Sequence, residues 1–187
     1  MKIAIYGGTF DPVHQGHLIL ARTALETFHW DKLYFVPCAQ SPHKKNNPVA
    51  SDQDRLKMLQ LAIKGEMQLK VDDFEIRQGG ISYSIDTVNH FQKKFPRAKL
   101  FWLLGADQIA KLKMWHRFEE LKQKVTFIFL NRDETKKGAL RNKLLLTRRI
   151  DISATEIRSR LKKSLSIRYL VTEEVAHYIK KEKIYFS

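Results

Sequence analysis

The sequence is poor in cysteine: Cys38 is the single one in 187 residues, so no disulfide can form within the chain. A chain without disulfides fits a reducing compartment, and we expect a cytoplasmic protein. It also has no run of eighteen apolar residues, which argues against a helix that spans a membrane. Met1 and Lys2 lead directly into an apolar segment of strand length instead of a signal peptide, so we expect a soluble protein without a membrane partner.

Excess negative charge is also missing, above all from the second half of the chain. Residues 1–92 contain 10 Lys and Arg against 10 Asp and Glu, whereas residues 93–187 contain 24 against 10, so the net charge of +14 arises in the second half. Such a cluster favours a polyanionic partner, either a nucleoside triphosphate or nucleic acid, although scattered lysines often form only a solvated basic surface. No helix-turn-helix or RNP-like aromatic motif is present, so we expect no nucleic-acid partner.

The length and the 43% of apolar residues suit one well-filled core, and we predict a single domain over 1–187. Apolar segments of strand length alternate with amphipathic segments, which predicts an α/β fold with a Rossmann-like, doubly wound parallel sheet and helices on both faces. The predicted strands are 3–6, 32–36, 99–104 and 125–130, with one or two short strands within 69–77 and a last one near 144–152. The predicted helices are about 16–28, one from 51, one that follows from the segment 81–87 and reaches about 95, about 117–123, one from 153 and about 172–183, and the loops are 39–48 and 133–143.

The most informative stretch is residues 7–17, GGTFDPVHQGH, which lies between the first predicted strand and the first predicted helix. Paired glycines allow a sharp turn and a close approach to a ligand, and the free amides at a helix N-terminus attract phosphate. His14 and His17 are three residues apart, so both can donate hydrogen bonds to one bound group. The glycine spacing fits neither the dinucleotide fingerprint G-x-G-x-x-G nor a Walker P-loop.

This stretch has two other interpretations. An H-x-x-H pair can bind a metal ion, but we identify no third ligand at suitable spacing and predict no protein metal site. Gly7 and Gly8 could also form a plain turn beside two histidines of the core. Phosphate binding is favoured because the turn, the helix start and the paired donors agree.

Other polar positions follow the predicted strands. His43 and Lys44 lie in a proline-punctuated loop that could fold over a phosphate or could be an ordinary exposed loop. Gly105 and Asp107 lie at the carboxyl end of a strand, where an acidic residue can accept hydrogen bonds from ribose hydroxyls or can only cap a helix. Trp115 could stack on a heterocycle or belong to the core.

A second helix start has the capping-box pattern S-x-x-E. Ser153 and Thr155 offer hydroxyls there, and Arg158 follows one turn later, so this start is a second candidate phosphate site or a bare helix cap. Ser82 and Ser84 could likewise be simple helix caps.

Residues 7–17 resemble the signature G-x-F-D-P-x-H-x-G-H of the nucleotidyltransferase superfamily. Four further motifs, SPHK at 41–44, GGISYSIDT at 79–87, GAD at 105–107 with Trp115, and ISATEIR at 152–158, resemble bacterial nicotinate-nucleotide adenylyltransferases in the same order. The resemblance implies an enzyme that joins nicotinate mononucleotide to ATP, with Mg²⁺ assisting, and yields nicotinate adenine dinucleotide and pyrophosphate in NAD synthesis. Such a transfer is expected to proceed by in-line attack on the α-phosphorus without a covalent intermediate.

The resemblance also implies roles for individual residues. The catalytic residues would be His14, His17 and Arg158. ATP would be bound by Gly7, Gly8, Thr9, Phe10, His14, Gly16, His17, Gly105, Asp107, Ser153, Thr155 and Arg158. Nicotinate mononucleotide would be bound by Thr9, His43, Lys44, Ser82, Tyr83, Thr87 and Trp115, with Trp115 stacking on the pyridine ring, Lys44 near the phosphate and the 82–87 turn near the carboxylate. Three positions depart from the family pattern, with Ile81 in place of proline, Ser84 of threonine and Ala154 of serine.

Two alternatives stay open. One is a sibling transferase that acts on pantetheine phosphate or uses a cytidylyl donor, against which the motifs at 41–44 and 79–83 argue. The other is a basic nucleic-acid-binding protein with a nucleotide fold, whose affinity would fall steeply with salt. ATP and nicotinate mononucleotide are thus the expected small-molecule partners, and a homo-oligomer is compatible with the sequence.

Overall fold

Parallel strands form the centre of the molecule. The computed structural model describes residues 1–42, 47–131, 143–146 and 150–186. Its strands are β1 (Lys2–Gly8), β2 (Lys32–Pro37), β3 (Leu69–Val71), β4 (Lys99–Gly105), β5 (Thr126–Asn131) and β6 (Lys143–Leu146). They form one six-stranded sheet in the order β3-β2-β1-β4-β5-β6, and all five neighbouring pairs are parallel. This order is that of a doubly wound Rossmann-like sheet, as predicted.

The helices are α1 (Gln15–Thr27), α2 (Asp52–Ala62), α3 (Phe74–Gln78), α4 (Ser84–Lys94), α5 (Phe118–Lys124), α6 (Ala154–Lys162) and α7 (Glu173–Lys181), and Ala106–Met114 forms a 3₁₀ segment. Capping residues define several of these starts. The side chains of Ser51, Ser153 and Thr172 accept hydrogen bonds from the backbone amides three residues later. These caps explain why the sequence placed the starts of α2, α6 and α7 correctly.

Strand alternation divides the core into two layers. Ala4 of β1 packs with α1, α2, α6 and α7 on one face of the sheet. Ile3 and Ile5 pack with α4 and α5 on the other face. Both faces of the sheet are therefore covered, as a parallel sheet requires. Within the described ranges, no helix is long and apolar enough to cross a membrane.

One sequence expectation about elements needs correction. One short strand forms within 69–77, Leu69–Val71, but the end of this segment belongs to α3, because the carboxylate of Asp72 accepts from the amide of Phe74 at 3.1 Å and turns the chain into that helix. The helix expected to reach about 95 ends at Lys94, as predicted. The loop prediction for 133–143 falls outside the described residues except for Lys143, which begins β6.

Candidate nucleotide-binding site

A large crevice opens at the carboxyl ends of β1 and β4, where the strand order reverses. Its volume is about 1190 Å³, and its lining comes from the loop after β1 and the starts of α1, α4 and α6. Among the residues expected to bind ATP, those that line it are Gly7, Gly8, Thr9, Phe10, His14, Gly16, His17, Gly105, Ser153, Thr155 and Arg158. Open α/β sheets bind ligands at this point because the connections diverge to opposite faces.

Residues 7–14, hereafter the signature loop, comprise the last two residues of β1 and the turn that follows, and Gly8 and Phe10 determine the shape of this segment. Phe10 adopts a positive φ of 49°, and its ring is buried against Tyr6 and His17 at centroid distances of 5.6 and 5.0 Å. A Cβ on Gly8 would lie 2.8 Å from the Phe10 ring, which is too close for any larger residue. Phe10 therefore shapes the floor of the crevice by packing.

The two histidines lie together at the start of α1. Their rings stack at a centroid distance of 3.7 Å. The backbone amide of His14 donates to Nδ1 of His17 at 3.2 Å, so Nδ1 is an acceptor and the proton of the neutral ring resides on Nε2. A doubly protonated His17 would direct a second N–H at this amide. The geometry therefore supports His17 as a hydrogen-bond donor through Nε2, as the sequence analysis expected of a histidine beside a bound group.

Asp11 connects four parts of the chain, a role that sequence reasoning missed. Its buried carboxylate accepts from the amides of Val49 and Ala50 at 2.8 and 3.0 Å and from the hydroxyl of Tyr185 at 2.7 Å. Arg158 donates to the main-chain oxygen of Asp11 at 2.6 Å. Asp11 thus joins the signature loop to α6 and to the segment after α7.

Arg55 binds the backbone of the signature loop. It is completely buried, and it donates to the main-chain oxygen of Thr9 at 2.7 Å and to the carboxylate of Asp52 at 2.5 Å. The sequence showed Arg55 only as a residue of the predicted second helix. A buried guanidinium fixes the loop backbone because its fork donates in defined directions.

The start of α6 forms another wall of the crevice. The Ser153 hydroxyl accepts from the amide of Glu156 at 3.1 Å, so Ser153 caps the helix. This cap is one of the two roles that the sequence analysis gave to this helix start. The guanidinium of Arg158 also donates to the Thr155 hydroxyl at 3.3 Å. The first amides of α6 have no partner within the helix, and the positive end of its dipole faces the crevice, which suits an anion.

A second wall, the aromatic wall, consists of Ser82, Tyr83, Ser84, Trp115 and His116, which all line the crevice. The rings of Tyr83 and His116 lie 4.4 Å apart. Trp115 is half-buried and meets the core residue Trp102 edge to face at 6.2 Å. A flat heterocycle can stack against such a surface, and the first amides of α4 lie at its base.

Thr87 corrects one predicted contact. Its side chain is completely buried and donates to the carboxylate of Glu75 at 2.5 Å, so it is not available to a ligand in the crevice. Ser82 lines the crevice, but its hydroxyl accepts from the amide of Ala39 at 3.0 Å instead of capping α4. Burial raises the pKa of the Glu75 carboxyl above its usual range, and hydrogen bonds from Thr87 and Ser82 oppose part of this rise.

Some predicted residues cannot be placed. His43 and Lys44 lie outside the described residues, and the Asp107 side chain is not described. Lys111, which the sequence did not single out, lines the crevice on the side of the 3₁₀ segment. Over the described part of the chain, no group of three or more His, Cys, Asp or Glu side chains could hold a metal ion.

This sheet order, with a histidine pair and two helix starts at the switch point, defines a Rossmann-like nucleotide-binding protein. The family model of the cytidylyltransferase-like proteins matches residues 5–160. The chain is thus a nucleotidyltransferase in class.

Proteins of similar sequence identify the family within this class. The chain is 46% identical to the "Probable nicotinate-nucleotide adenylyltransferase" of Methylacidiphilum infernorum, over 98% of this chain and 92% of that protein. It is 43% identical to the protein of the same name from Opitutus terrae, over 99% of this chain and 98% of the relative. The chain belongs to the nicotinate-nucleotide adenylyltransferase family, which confirms the resemblance of its motifs.

Solved structures confirm the fold. A Plasmodium falciparum nicotinic acid mononucleotide adenylyltransferase complexed with NaAD superposes with a TM-score of 0.80 at 21% identity, over 98% of this chain and 97% of that one. The same enzyme complexed with APC gives a TM-score of 0.78 at 20% identity, over 98% and 96%.

Proposed function

We propose that the protein transfers the adenylyl group of ATP to nicotinate mononucleotide. A phosphate oxygen of the mononucleotide attacks the α-phosphorus of ATP, the bond between that phosphorus and the β-phosphate oxygen breaks, and pyrophosphate leaves with the electron pair. The carrying observation is that the signature loop, two helix starts and the aromatic wall line a single crevice at the switch point. Its volume of about 1190 Å³ is larger than that of a usual single-ligand pocket, about 300–1000 Å³.

The ATP side of the crevice is the one beside β1 and α6. The amides of the signature loop and of the α1 and α6 starts would meet the triphosphate, with Nε2–H of His17 as a further donor. Arg158 lines this side and would neutralise charge on the departing pyrophosphate. Gly105 at the end of β4 would border the adenosine.

The acceptor side is the aromatic wall. Trp115 and Tyr83 would contact the pyridine ring, and the first amides of α4 would meet its carboxylate, since a helix start favours an anion. This arrangement supports the acid over the amide, because a neutral carboxamide gains less from the dipole.

No protein nucleophile is needed for this reaction. Alignment of the attacking oxygen and stabilisation of developing charge are sufficient for phosphoryl-type transfer. Mg²⁺ would enter as part of the ATP substrate and would help to neutralise the charge of the phosphates.

The test is pyrophosphate release from Mg-ATP with one acceptor at a time: nicotinate mononucleotide, nicotinamide mononucleotide or pantetheine phosphate. A parallel arm replaces ATP by CTP. We expect release with ATP and nicotinate mononucleotide. The kcat/KM should be about tenfold higher than with nicotinamide mononucleotide, because a helix start stabilises a carboxylate by up to about 2 kcal/mol. Release with pantetheine phosphate, or with CTP in preference to ATP, would refute the proposal.

A further inference from the structure

Glu75 is a buried carboxylate at the edge of the crevice that the proposed chemistry does not use. It lies in α3, is 6% exposed, and borders the crevice beside the aromatic wall. Buried carboxylates are costly unless hydrogen bonds or opposite charges compensate them, so this position calls for a physical reason.

One hydrogen bond joins Glu75 to the turn at residues 82–87. Thr87, in the first turn of α4, donates to the Glu75 carboxyl at 2.5 Å. At the other end of the turn, the Ser82 hydroxyl accepts from the amide of Ala39, and the Ser82 amide donates to the main-chain oxygen of Gln40 at 2.9 Å. Thr87 and Ser82 therefore tie the turn to α3 and to the segment after β2.

The charges around Glu75 come from two other elements. Arg55 of α2 favours the ionised carboxylate, whereas Asp72, which follows β3, opposes ionisation. The Thr87 hydroxyl donates to one oxygen of the Glu75 carboxyl. A glutamine would keep the shape but would replace one of the two carboxyl oxygens by an N–H₂ donor.

We infer that Glu75 is a positioning residue for the acceptor nucleotide: by accepting from the hydroxyl of Thr87 it fixes the start of α4, and with it the α4 amides and the aromatic wall against which the pyridine nucleotide binds. This inference rests on the proposed function. Glu75 acts through the turn at residues 82–87, so its loss should weaken the binding of nicotinate mononucleotide and leave the binding of ATP unchanged.

The experiment compares steady-state kinetics of the wild type and E75Q, with each substrate varied in turn. We expect the KM for nicotinate mononucleotide to rise roughly tenfold, the loss typical of one charged hydrogen bond. The KM for ATP should stay within about twofold, since the signature loop does not contact Glu75 in this network. Calorimetric titration with nicotinate mononucleotide alone should show the same roughly tenfold loss.

Asp72→Asn is the matched control. Asp72 is the neighbouring buried carboxylate, but it holds Lys94 and His90 instead of the 82–87 turn. The side-chain oxygen of an asparagine can still accept from the Phe74 amide at the start of α3, so D72N should leave Glu75 in place. We expect D72N to lower stability without a selective rise in the KM for the acceptor.

Two further variants keep the inference testable if E75Q does not fold. T87V removes the hydroxyl and should raise the KM for the acceptor alone, whereas T87S keeps the hydroxyl and should restore it. An equal rise in both KM values, or unchanged acceptor binding in E75Q or T87V, would overturn the inference. If the wild type itself formed no product from nicotinate mononucleotide, the proposed function would fail instead.

Discussion

At the scale of single residues, the site depends on backbone contacts that orient donors. The amide of His14 engages Nδ1 of His17, so the neutral ring can donate only from Nε2. A donor whose tautomer is set before substrate arrives loses little free energy to reorganisation when charge develops on phosphate.

Replacement of His17 by alanine tests this role. We expect H17A to lower kcat by roughly 10²–10³, the usual effect of removing one donor to a developing charge. H17Q, whose amide N–H₂ can lie near the Nε2 position, should recover part of the loss. The exposed His29 provides a control, since H29A should keep full turnover. Wild-type turnover of H17A would remove His17 from the mechanism.

Motif spacing predicted residues that line the crevice better than the buried residues that hold the signature loop in place. His14 and His17 were predicted because helical spacing places them together. The contact between Tyr185 and Asp11 spans 174 positions and has no local pattern, so the sequence could not show it. Arg55 was missed for the same reason, because a buried arginine and an exposed one look alike in a helix of mixed polarity.

At the scale of elements, most of the correct predictions came from helix caps and from the alternation of apolar strands with amphipathic helices. The serine and threonine caps marked the starts of α2, α6 and α7, and apolar runs marked β1, β2, β4 and β5. The short α3 was missed, since five residues are too few for a periodic signal. Asp72 lies just before it, and its carboxylate accepts from the Phe74 amide and from the ammonium of Lys94 at 2.7 Å.

Asp72 should make the stability of this region depend on pH. Burial alone would raise the pKa of Asp72, but hydrogen bonds from Lys94 and His90 outweigh it and hold the pKa below the usual 3.8. A carboxyl with a lowered folded-state pKa stabilises the fold above its unfolded-state pKa, and this contribution is lost as the pH falls through the folded-state value.

We therefore expect D72N to reduce the free energy of unfolding at pH 7 by about 2 kcal/mol, as measured by urea denaturation. The difference from the wild type should shrink as the pH is lowered below the usual value of 3.8. A difference that stays constant from pH 7 to pH 3 would show that the carboxylate charge is irrelevant.

At the scale of the whole molecule, the segment after α7 closes the structure on the signature loop. Tyr185 is 3% exposed, and its hydroxyl donates to Asp11. Burial beside this carboxylate raises the pKa of Tyr185 well above its usual value, so the hydroxyl remains a donor throughout the physiological range.

Y185F should lower the free energy of unfolding by about 1.5–3 kcal/mol, because the buried Asp11 carboxylate loses a donor. Y178F is the control: Tyr178 donates to Asp54 at 2.9 Å, but this pair is only half-buried, so we expect less than about 1 kcal/mol. Chemical denaturation of both variants provides the comparison. Equal losses of unfolding free energy in the two variants would mean that the buried contact at Asp11 stabilises the fold no more than the half-buried contact at Asp54.

The doubly wound parallel sheet was the part of the architecture that the sequence predicted most clearly, because strands that alternate with helices allow few topologies. This sheet brings the signature loop and α6 to one crevice, where Arg158 contacts Asp11 across 147 positions of the chain. We propose that the crevice aligns two nucleotides for direct displacement, without a covalent enzyme intermediate.

The stereochemical course at the α-phosphorus tests that claim most directly. The protein would be given nicotinate mononucleotide and an ATP analogue that is chiral at the α-phosphorus through sulfur substitution, and the configuration of the dinucleotide would be determined by ³¹P NMR. A single in-line displacement predicts complete inversion. Net retention would require two displacements, and therefore an adenylylated enzyme that this account excludes.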